Sequence, residues 1–302
     1  MSANLAQSIH QRLLNKSKEV GQPFNKVLQH FALERFLYRL SRSPYRDRFV
    51  LKGALLLRVW QDSEARFTRD IDLLGRTAND LEGVAAIMRE ICQQAAVADG
   101  LEFDPATVQA SRVAEDAVYE GVRVVLLGHL GSARLRLQVD IGFGDIVVPP
   151  AQELSYPTLL DLPPAVVLAY SRESSIAEKL TAMLAMGRDN SRMKDYYDIW
   201  LLSRHGDFDG ATLTEAVRQA CAVRNPEIAG EPIGLSPEFA LTEGKTAQWH
   251  GFVRKTHAAD APKELGEVVL AAREFLGPVL MALSAGEPFA AVWRASGPWQ
   301  QS

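Results

Sequence analysis

Two acidic residues, Asp70 and Asp72, lie in the apolar segment RFTRDIDLLG, where packing alone does not require them. Alternate side chains of a strand share a face, so we expect the two carboxylates to lie roughly 7 Å apart. Their repulsion is on the order of 2 kcal/mol at an effective dielectric constant of about 20. A divalent cation offsets such repulsion, and Mg²⁺ commonly binds one or two carboxylates together with waters and substrate phosphates.

A third acid, Asp140, lies near the end of the alternating segment RLRLQVDIGFGD. Three acids on adjacent strands of one sheet would form a two-metal site for phosphoryl transfer. Asp140 taken alone is equally consistent with a strand-end cap. The Asp-x-Asp spacing is not diagnostic, because Asp207 and Asp209 repeat it in HGDFDG, where the flanking glycines indicate a turn. Strand context is what distinguishes the first pair.

Charged residues also interrupt two apolar helices of the C-terminal half. Lys179 falls within the stripe that contains Ile176 and Met183, so its amine either extends to solvent or faces an anion. Asp195 and Asp198 are three residues apart and share a face near the start of the next helix. The helix dipole alone also favours acids at that position.

The elements that must position these residues alternate between helix and strand up to about residue 150. A helical pattern runs from Ser2 to about Arg42, and FVLKGALLLRVW then predicts a strand that turns at Gly53 into a buried helix. RFTRDIDLLG predicts a strand that ends at Gly75, followed by a helix with Asn79 as its N-cap. The segments YEGVRVVLLGHLG and ARLRLQVDIGFGDIVV predict two strands joined by a turn within residues 128–132.

A proline-bearing stretch, Pro149 to Pro164, marks the expected domain boundary. Residues 1–150 would form a helical N-terminal segment with an α/β domain, and residues 165–302 a helical domain that completes the active site. The first helix of this second domain should be capped by Ser171, Ser174 or Ser175 and end at Gly187. The next helix should be capped by Ser191 and end near Gly206. Further helices at about 212–224 and 262–283 flank an interrupted stretch, Asn225 to Pro262. The fold class is α+β, a mixed sheet flanked by helices with a C-terminal helical domain.

The charge of the chain is unevenly distributed. The 302 residues carry a net charge of −4, but residues 1–58 hold 11 Lys and Arg against 3 Asp and Glu. This basic region could guide a polyanion, or its charges could simply be solvated helix faces. The basic residues of interest are Arg35, Arg39, Arg42, Arg46 and Arg48.

Composition excludes several other classes of protein. No apolar run approaches the roughly 18 residues of a membrane span, and the N-terminus lacks a secretory core, so we expect a cytoplasmic protein without membrane contact. Cys92 and Cys221 lie in apolar helical patterns, which argues against a disulfide scaffold or a cysteine zinc site.

Five motifs, in this order and spacing, resemble those of the AbiEii-type nucleotidyltransferases, toxin-like members of the DNA polymerase β superfamily. They are FVLKGALLLRVW, RFTRDIDLLG, VDIGFGD, EKLTAMLAMG and RMKDYYDIWLL. The resemblance covers roughly residues 45 to 205. It implies a nucleotidyltransferase-type sheet, transfer of a nucleotide from an NTP to RNA, in some members to the tRNA 3′ end, and a cognate antitoxin.

The resemblance also implies roles for individual residues. Asp70 and Asp72 match the Asp-x-Asp metal ligands, for Mg²⁺ or Mn²⁺. Asp140 matches the third carboxylate, which would bind the metal as well or activate the attacking hydroxyl. Lys179 matches the lysine that holds NTP phosphates. Asp195 and Asp198 match a Lys/Arg-Asp-x-x-Asp motif, in which Asp195 is expected to be catalytic and Asp198 to assist nucleotide binding.

One departure from the superfamily pattern concerns the phosphate-binding turn. The usual Gly-Ser or Gly-Gly-Thr is replaced by Lys52-Gly53-Ala54, which has no hydroxyl. Gly53 still lets backbone approach a phosphate, and Lys52 or Thr68 could add a contact. Two alternatives therefore stay open: transfer to a protein or small-molecule hydroxyl, and a nucleotide-binding regulator with weakened catalysis.

Overall fold

The computed structural model describes residues 2–61, 68–115, 119–256, 258 and 260–301. Contacts between residues divide the chain into two compact units. The first unit contains residues up to Val59, the segment that ends at Gly144, and Gln152–Ala169. The second contains Asp145–Ala151 and the chain from Tyr170 onward. Arg66 and Phe67, which begin the predicted second strand, lie outside the described residues.

The first unit is built on a mixed sheet of seven strands within the described chain, in the order β3-β4-β5-β2-β1-β7-β6. The strands are β1 (Phe49–Lys52), β2 (Asp70–Gly75), β3 (Leu101–Glu115), β4 (Tyr119–Leu130), β5 (Ala133–Phe143), β6 (Gln152–Tyr156) and β7 (Ala165–Ala169). The pairs β2/β5 and β1/β7 are parallel, and the other neighbours are antiparallel. The sheet is therefore mixed, as the sequence predicts.

Helices of the first unit pack against this sheet, with α2 in contact with β5 and β7 and α4 in contact with β3 and β4. These helices are α1 (Ser2–Glu19), α2 (Phe24–Arg42), α3 (Leu55–Trp60) and α4 (Leu81–Gln93). Alternation along β5 is regular, since Leu135, Leu137, Val139 and Ile141 are buried while the residues between them are not. Along β5, therefore, one face belongs to the core and the other carries polar side chains.

Three strands of this sheet are absent from the sequence prediction. The strands β6 and β7 lie at residues 152–156 and 165–169, where the proline-bearing boundary was expected, and β3 precedes the predicted hairpin. The signals of these strands are weak for different reasons: β3 contains Pro105 at a register shift between Asp104 and Gln109, β6 is mostly polar, and β7 has only five residues. The first unit consequently extends to Ala169, beyond the expected end at residue 150.

Helices dominate the second unit. They are α5 (Arg172–Met186), α6 (Met193–His205), α7 (Gly210–Arg224), α8 (Pro237–Leu241), α9 (Lys245–Thr256) and α10 (Leu265–Ala285). A small sheet of the strands β8 (Phe208–Asp209), β9 (Ala291–Trp293) and β10 (Trp299–Gln301) adds to them. The helices α8 and α9 lie in the stretch that the sequence left uninterpreted.

Two of the predicted helix caps are wrong by one residue. Asp80, not Asn79, caps α4, because its carboxylate accepts a hydrogen bond of 2.7 Å from Gly83 N–H. Arg192, not Ser191, precedes α6 and makes no side-chain cap. Ser171 does cap α5, accepting from Ser174 N–H, and that helix ends at Gly187 as expected.

Among the described residues, one helix, α10, is long and apolar enough to cross a membrane by length and composition alone. Its side chains Phe275, Leu276, Val279 and Leu280 are buried. Phe275 also packs its ring on those of Trp293 and Trp299 in the small sheet. The helix therefore packs as a core element of the second unit.

Candidate active site

Four charged residues form a row across the first sheet. Cα pairing places Lys52 of β1 opposite Asp72 of β2, Asp72 opposite Asp140 of β5, and Asp140 opposite Arg123 of β4. Directly paired residues project from the same face, and neighbouring strands lie about 4.8 Å apart. The row therefore reads cation, anion, anion, cation, with the two carboxylates in its centre.

Asp70 lies one step along the same face. It is paired with Gln138, while Ile71, which lies between the two acids, projects into the core. Asp70 and Asp72 are both partly exposed. The structure thus brings Asp70, Asp72 and Asp140 onto one face of two adjacent strands.

The carboxylate of Asp140 is held by an arginine that the sequence analysis did not single out. Arg123 donates from Nε to Oδ1 at 2.7 Å and from Nη2 to Oδ2 at 2.8 Å, and Gln138 Nε2 donates to Oδ2 at 3.0 Å. A carboxylate has about four acceptor sites, so this arrangement leaves one of them, on Oδ1, for a further partner. Asp140 is fixed in orientation without being saturated.

The pairing of Arg123 with Asp140 follows from the register of the β4–β5 hairpin. The two-residue turn Gly131-Ser132 pairs Leu130 with Ala133, and counting pairs back from that turn reaches Arg123 and Asp140 together. The sequence prediction located the turn only within residues 128–132. A one-residue shift in register changes every cross-strand partner, so the pairing could not be read from that range.

Gly53 lies directly against Asp72. A Cβ atom built on Gly53 would lie 2.7 Å from Asp72 Cγ and 2.8 Å from Asp72 Cβ, and the φ angle of +73° is itself in the region that favours glycine. No larger residue fits there without displacing the carboxylate. The close approach predicted for Gly53 is therefore present, and its immediate neighbour is Asp72.

The other candidate residues of the phosphate turn have different surroundings. Lys52 is buried and aligned with Asp72, and Ala54 is buried as well. Thr68 Oγ1 lies 3.4 Å from the backbone nitrogen of Asp70 and accepts its N–H. This contact orders the start of β2.

The donor set on this face fits a hard divalent cation. Asp70 and Asp72 are two carboxylates on one strand face, the number that Mg²⁺ commonly takes from a protein when waters and phosphates complete its octahedron. Within the described ranges, no three Asp, Glu, His or Cys side chains converge as a ready-made metal cluster. Asp140 instead turns its oxygens toward Arg123. The residues therefore suit a cation held by two carboxylates, Asp70 and Asp72, with Asp140 beside them.

The remaining candidate residues form a second cluster, in the helical unit. Lys179 Nζ of α5 lies 3.3 Å from Asp195 Oδ1 and 2.8 Å from Asp198 Oδ2, both on α6. Arg192 Nε adds a contact of 2.7 Å to Asp195 Oδ2. The side chains of Asp195 and Asp198 are 1% and 0% exposed. Two cations thus neutralise two buried carboxylates and join the two helices.

The second Asp-x-Asp pair, Asp207 and Asp209, lies at a turn and a helix start, as its flanking glycines indicate. Asp209 caps α7 by accepting from Thr212 N–H at 2.8 Å, and Asp207 pairs with Arg294 at 2.6 Å. Arg294 and the Ala295 N–H hold the pKa of Asp207 below its usual range. Both acids therefore serve the turn and the helix start.

The interpretation of the basic region of residues 1–58 as a polyanion surface is wrong for Arg35 and Arg39. Arg35 and Arg39 are buried and share Asp99, with nitrogen to oxygen distances of 2.9 and 2.8 Å. Burial opposes ionisation of Asp99, but hydrogen bonds and charge from these arginines outweigh it and lower its pKa. Arg46 is also occupied, by Glu153. Arg35 and Arg39 therefore hold the fold together and do not present a surface, whereas Arg46 is paired but partly exposed.

The first unit thus presents paired carboxylates on one face of a mixed sheet, and a helical unit follows it in the chain. The model of the family described as "Nucleotidyl transferase AbiEii toxin, Type IV TA system" matches residues 35–272. The chain belongs to this family. It is thus a nucleotidyltransferase of the toxin type, and a type IV toxin–antitoxin system implies a cognate antitoxin.

Solved structures add only a distant likeness. A crystal structure of a proposed nucleotidyltransferase from Helicobacter pylori shares 15% identity at a TM-score of 0.48, covering 87% of this chain and 98% of that one. JHP933 from Helicobacter pylori shares 15% identity at a TM-score of 0.46, with coverage of 86% and 95%. No curated protein matches the chain significantly. The family match alone therefore carries the assignment.

Proposed function

We propose that the protein transfers a nucleotide from an NTP to the 3′ end of an RNA, specifically a tRNA, in a Mg²⁺-dependent reaction in the cytoplasm. The family supplies the reaction class. The observation that carries the finer proposal is the pairing of Asp72 with Asp140 across β2 and β5, with Asp70 on the same face and Gly53 against Asp72.

Each residue of the row then has a chemical role. Asp70 and Asp72 would hold Mg²⁺, which supplies positive charge to the triphosphate and the departing pyrophosphate. Asp140 accepts a hydrogen bond from the attacking 3′ hydroxyl through its remaining acceptor site on Oδ1 and takes up its proton. The new bond joins that oxygen to the α-phosphorus, and the bond from the α-phosphorus to pyrophosphate breaks.

Gly53 and Lys52 complete the phosphate side of this proposal. The positive φ of Gly53 and its lack of a Cβ permit a close approach of backbone to a phosphate beside Asp72. Lys52 places a cation in the same row. These features replace the hydroxyl that Ala54 lacks.

The second cluster is proposed to act on the nucleotide as the resemblance implies. Lys179 would bind a phosphate of the NTP, and Asp195 and Asp198 would hold its ammonium in place until the phosphate arrives. The support is the burial of both acids against one lysine. The two carboxylates fix the position of the Lys179 ammonium, so an arriving phosphate would meet a positioned point charge.

The test uses purified protein, total tRNA, Mg²⁺ and each α-labelled NTP in turn, read on a denaturing gel. The proposal predicts label on tRNA with at least one NTP, and loss of label when Mg²⁺ is chelated. Labelling in a cell extract, with and without RNase, identifies the acceptor class. A labelled species that survives RNase would show a protein or small-molecule acceptor and contradict the RNA proposal.

A further inference from the structure

The exposed face of β5 carries two arginines in line with Asp140. Arg134 and Arg136 alternate with buried Leu135 and Leu137, so they project from the same face as Gln138 and Asp140. Both arginines are exposed. We call Arg134 and Arg136 the β5 arginine pair.

The β5 arginine pair is not neutralised by its surroundings. Within the described part of the chain, neither guanidinium has an ion pair or a side-chain hydrogen bond. The register places His129 and Leu127 of β4 next to them, and the acids Glu102 and Asp104 follow only on β3, one strand further away. Asp104 already accepts from Ala106 N–H at 2.9 Å.

The backbone beneath the β5 arginine pair is held in place. Gln29 of α2 donates to the carbonyl oxygen of Arg136 at 3.1 Å. β5 is also paired along this stretch, with Arg134 opposite His129 and Arg136 opposite Leu127. The two guanidinium groups therefore extend from a fixed strand.

The spacing along β5 suits a polymer of phosphates. Arg136 lies about 13 Å and Arg134 about 20 Å from Asp140, from a strand rise of about 3.3 Å per residue. The two arginines are thus one strand repeat apart, a distance of the same order as that between successive phosphates of an extended nucleic-acid strand. Arginine is also the side chain best suited to two-point contact with phosphate.

We propose that the β5 arginine pair binds backbone phosphates of the RNA acceptor strand, whose 3′ end reaches Asp140. This inference rests on the proposed transfer to RNA and adds the direction from which the strand enters. It also moves the polyanion surface from α2, where Arg35 and Arg39 are buried, to the sheet face beside the acids.

The test compares the double variant R134Q/R136Q with R42Q, which changes an exposed arginine at the end of α2. For transfer to a single-stranded RNA, the double variant should raise the acceptor KM about tenfold or more, while kcat and the NTP KM are unchanged. A dinucleotide is too short to reach Arg136, so its transfer should be unaffected. R42Q should behave as the wild type.

A binding measurement separates this inference from the proposed function. Fluorescence anisotropy with a labelled single-stranded RNA gives the dependence of affinity on salt, whose logarithmic slope falls by roughly 0.7 for each phosphate that the protein no longer neutralises. The double variant should reduce the slope by roughly 1.4 and R42Q should not. If the wild type labels no RNA, the proposed function fails, and the slope still decides whether the β5 arginine pair binds RNA phosphates.

Three results would overturn the inference. They are an increase in the NTP KM rather than the acceptor KM, an equal effect of R42Q, and an unchanged salt slope in R134Q/R136Q. Thermal unfolding of all variants controls for folding, and substitutions at exposed arginines should change the free energy of unfolding by less than about 0.5 kcal/mol.

Discussion

Gly53 and Asp72 are in direct contact: the glycine Cα faces the carboxylate so closely that a Cβ atom would lie 2.7 Å from Asp72 Cγ. The contact joins the turn after β1 to the acid on β2, which are also linked by the pairing of Lys52 with Asp72. The glycine thus has two requirements to meet, a positive φ and a missing side chain. A second glycine with a positive φ but no close neighbour allows the effect of the backbone conformation to be separated from the effect of the contact with Asp72.

Gly53→Ala should abolish most transfer activity, because the new methyl group displaces the Asp72 carboxylate. The matched control is Gly21→Ala, since Gly21 has a φ of +63° but nothing within 4 Å of its would-be Cβ. Both variants carry the backbone strain, on the order of 1 kcal/mol. Transfer assays with thermal melts make the comparison. Equal activity in the two variants would show that the contact with Asp72 does not matter.

Arg123→Lys should lower transfer activity by about 10- to 100-fold, the range seen when a partner that orients a metal-site carboxylate is removed. Lysine keeps the charge but cannot contact both oxygens of Asp140. Rates measured across a Mg²⁺ titration should reach a lower maximum in Arg123→Lys than in the wild type. Gln138→Ala should lower this maximum by a smaller factor. Unchanged kinetics in Arg123→Lys would mean that the two-point contact does not position Asp140.

Lys179→Met should destabilise the protein by about 3 to 5 kcal/mol, because Asp195 and Asp198 are left buried with less compensation. Loss of activity in this variant alone would not establish a role in nucleotide binding. Lys179→Arg retains the charge and should remain folded, so its NTP KM is the informative quantity. An NTP KM equal to that of the wild type would contradict the phosphate-binding role.

The stability of the first unit should fall as pH rises from about 6.5 to 8, through Glu34. Burial raises the pKa of Glu34 to about 8, although the Leu159 N–H and nearby arginines oppose the shift. Its folded pKa exceeds the unfolded value of 4.5, so its stabilising effect is complete below that value and is lost as pH rises toward 8. The expected slope is at most about 1.4 kcal/mol per pH unit.

The control for this prediction is Glu34→Gln, whose neutral amide should remove the slope. His30, with a pKa lowered to about 3 mainly by burial and also by Arg58, changes stability in the opposite direction and only below about pH 6.5. Denaturant unfolding of both proteins across this range gives the comparison. Parallel curves for wild type and Glu34→Gln would contradict the assignment.

The sequence predicted the parts of this molecule whose signals are local. Period-two alternation located β2 and β5, and Ser171 and Gly187 marked the ends of α5. Relationships between distant segments could not be obtained in this way. The pairing of Arg123 with Asp140 depends on register, and the burial of Arg35 and Arg39 depends on Asp99, some 60 residues away. Arginines on an apolar helix look alike from sequence whether they are solvated or paired inside.

The most direct test of the account compares D72N with D209N in the transfer assay. Both change the second acid of an Asp-x-Asp pair, but Asp209 caps α7, and asparagine caps a helix about as well as aspartate. We predict that D72N remains folded and transfers no nucleotide to RNA, whereas D209N transfers at the wild-type rate. Labelled RNA produced by folded D72N at a rate close to that of D209N would contradict the assignment of Asp72 to the reaction.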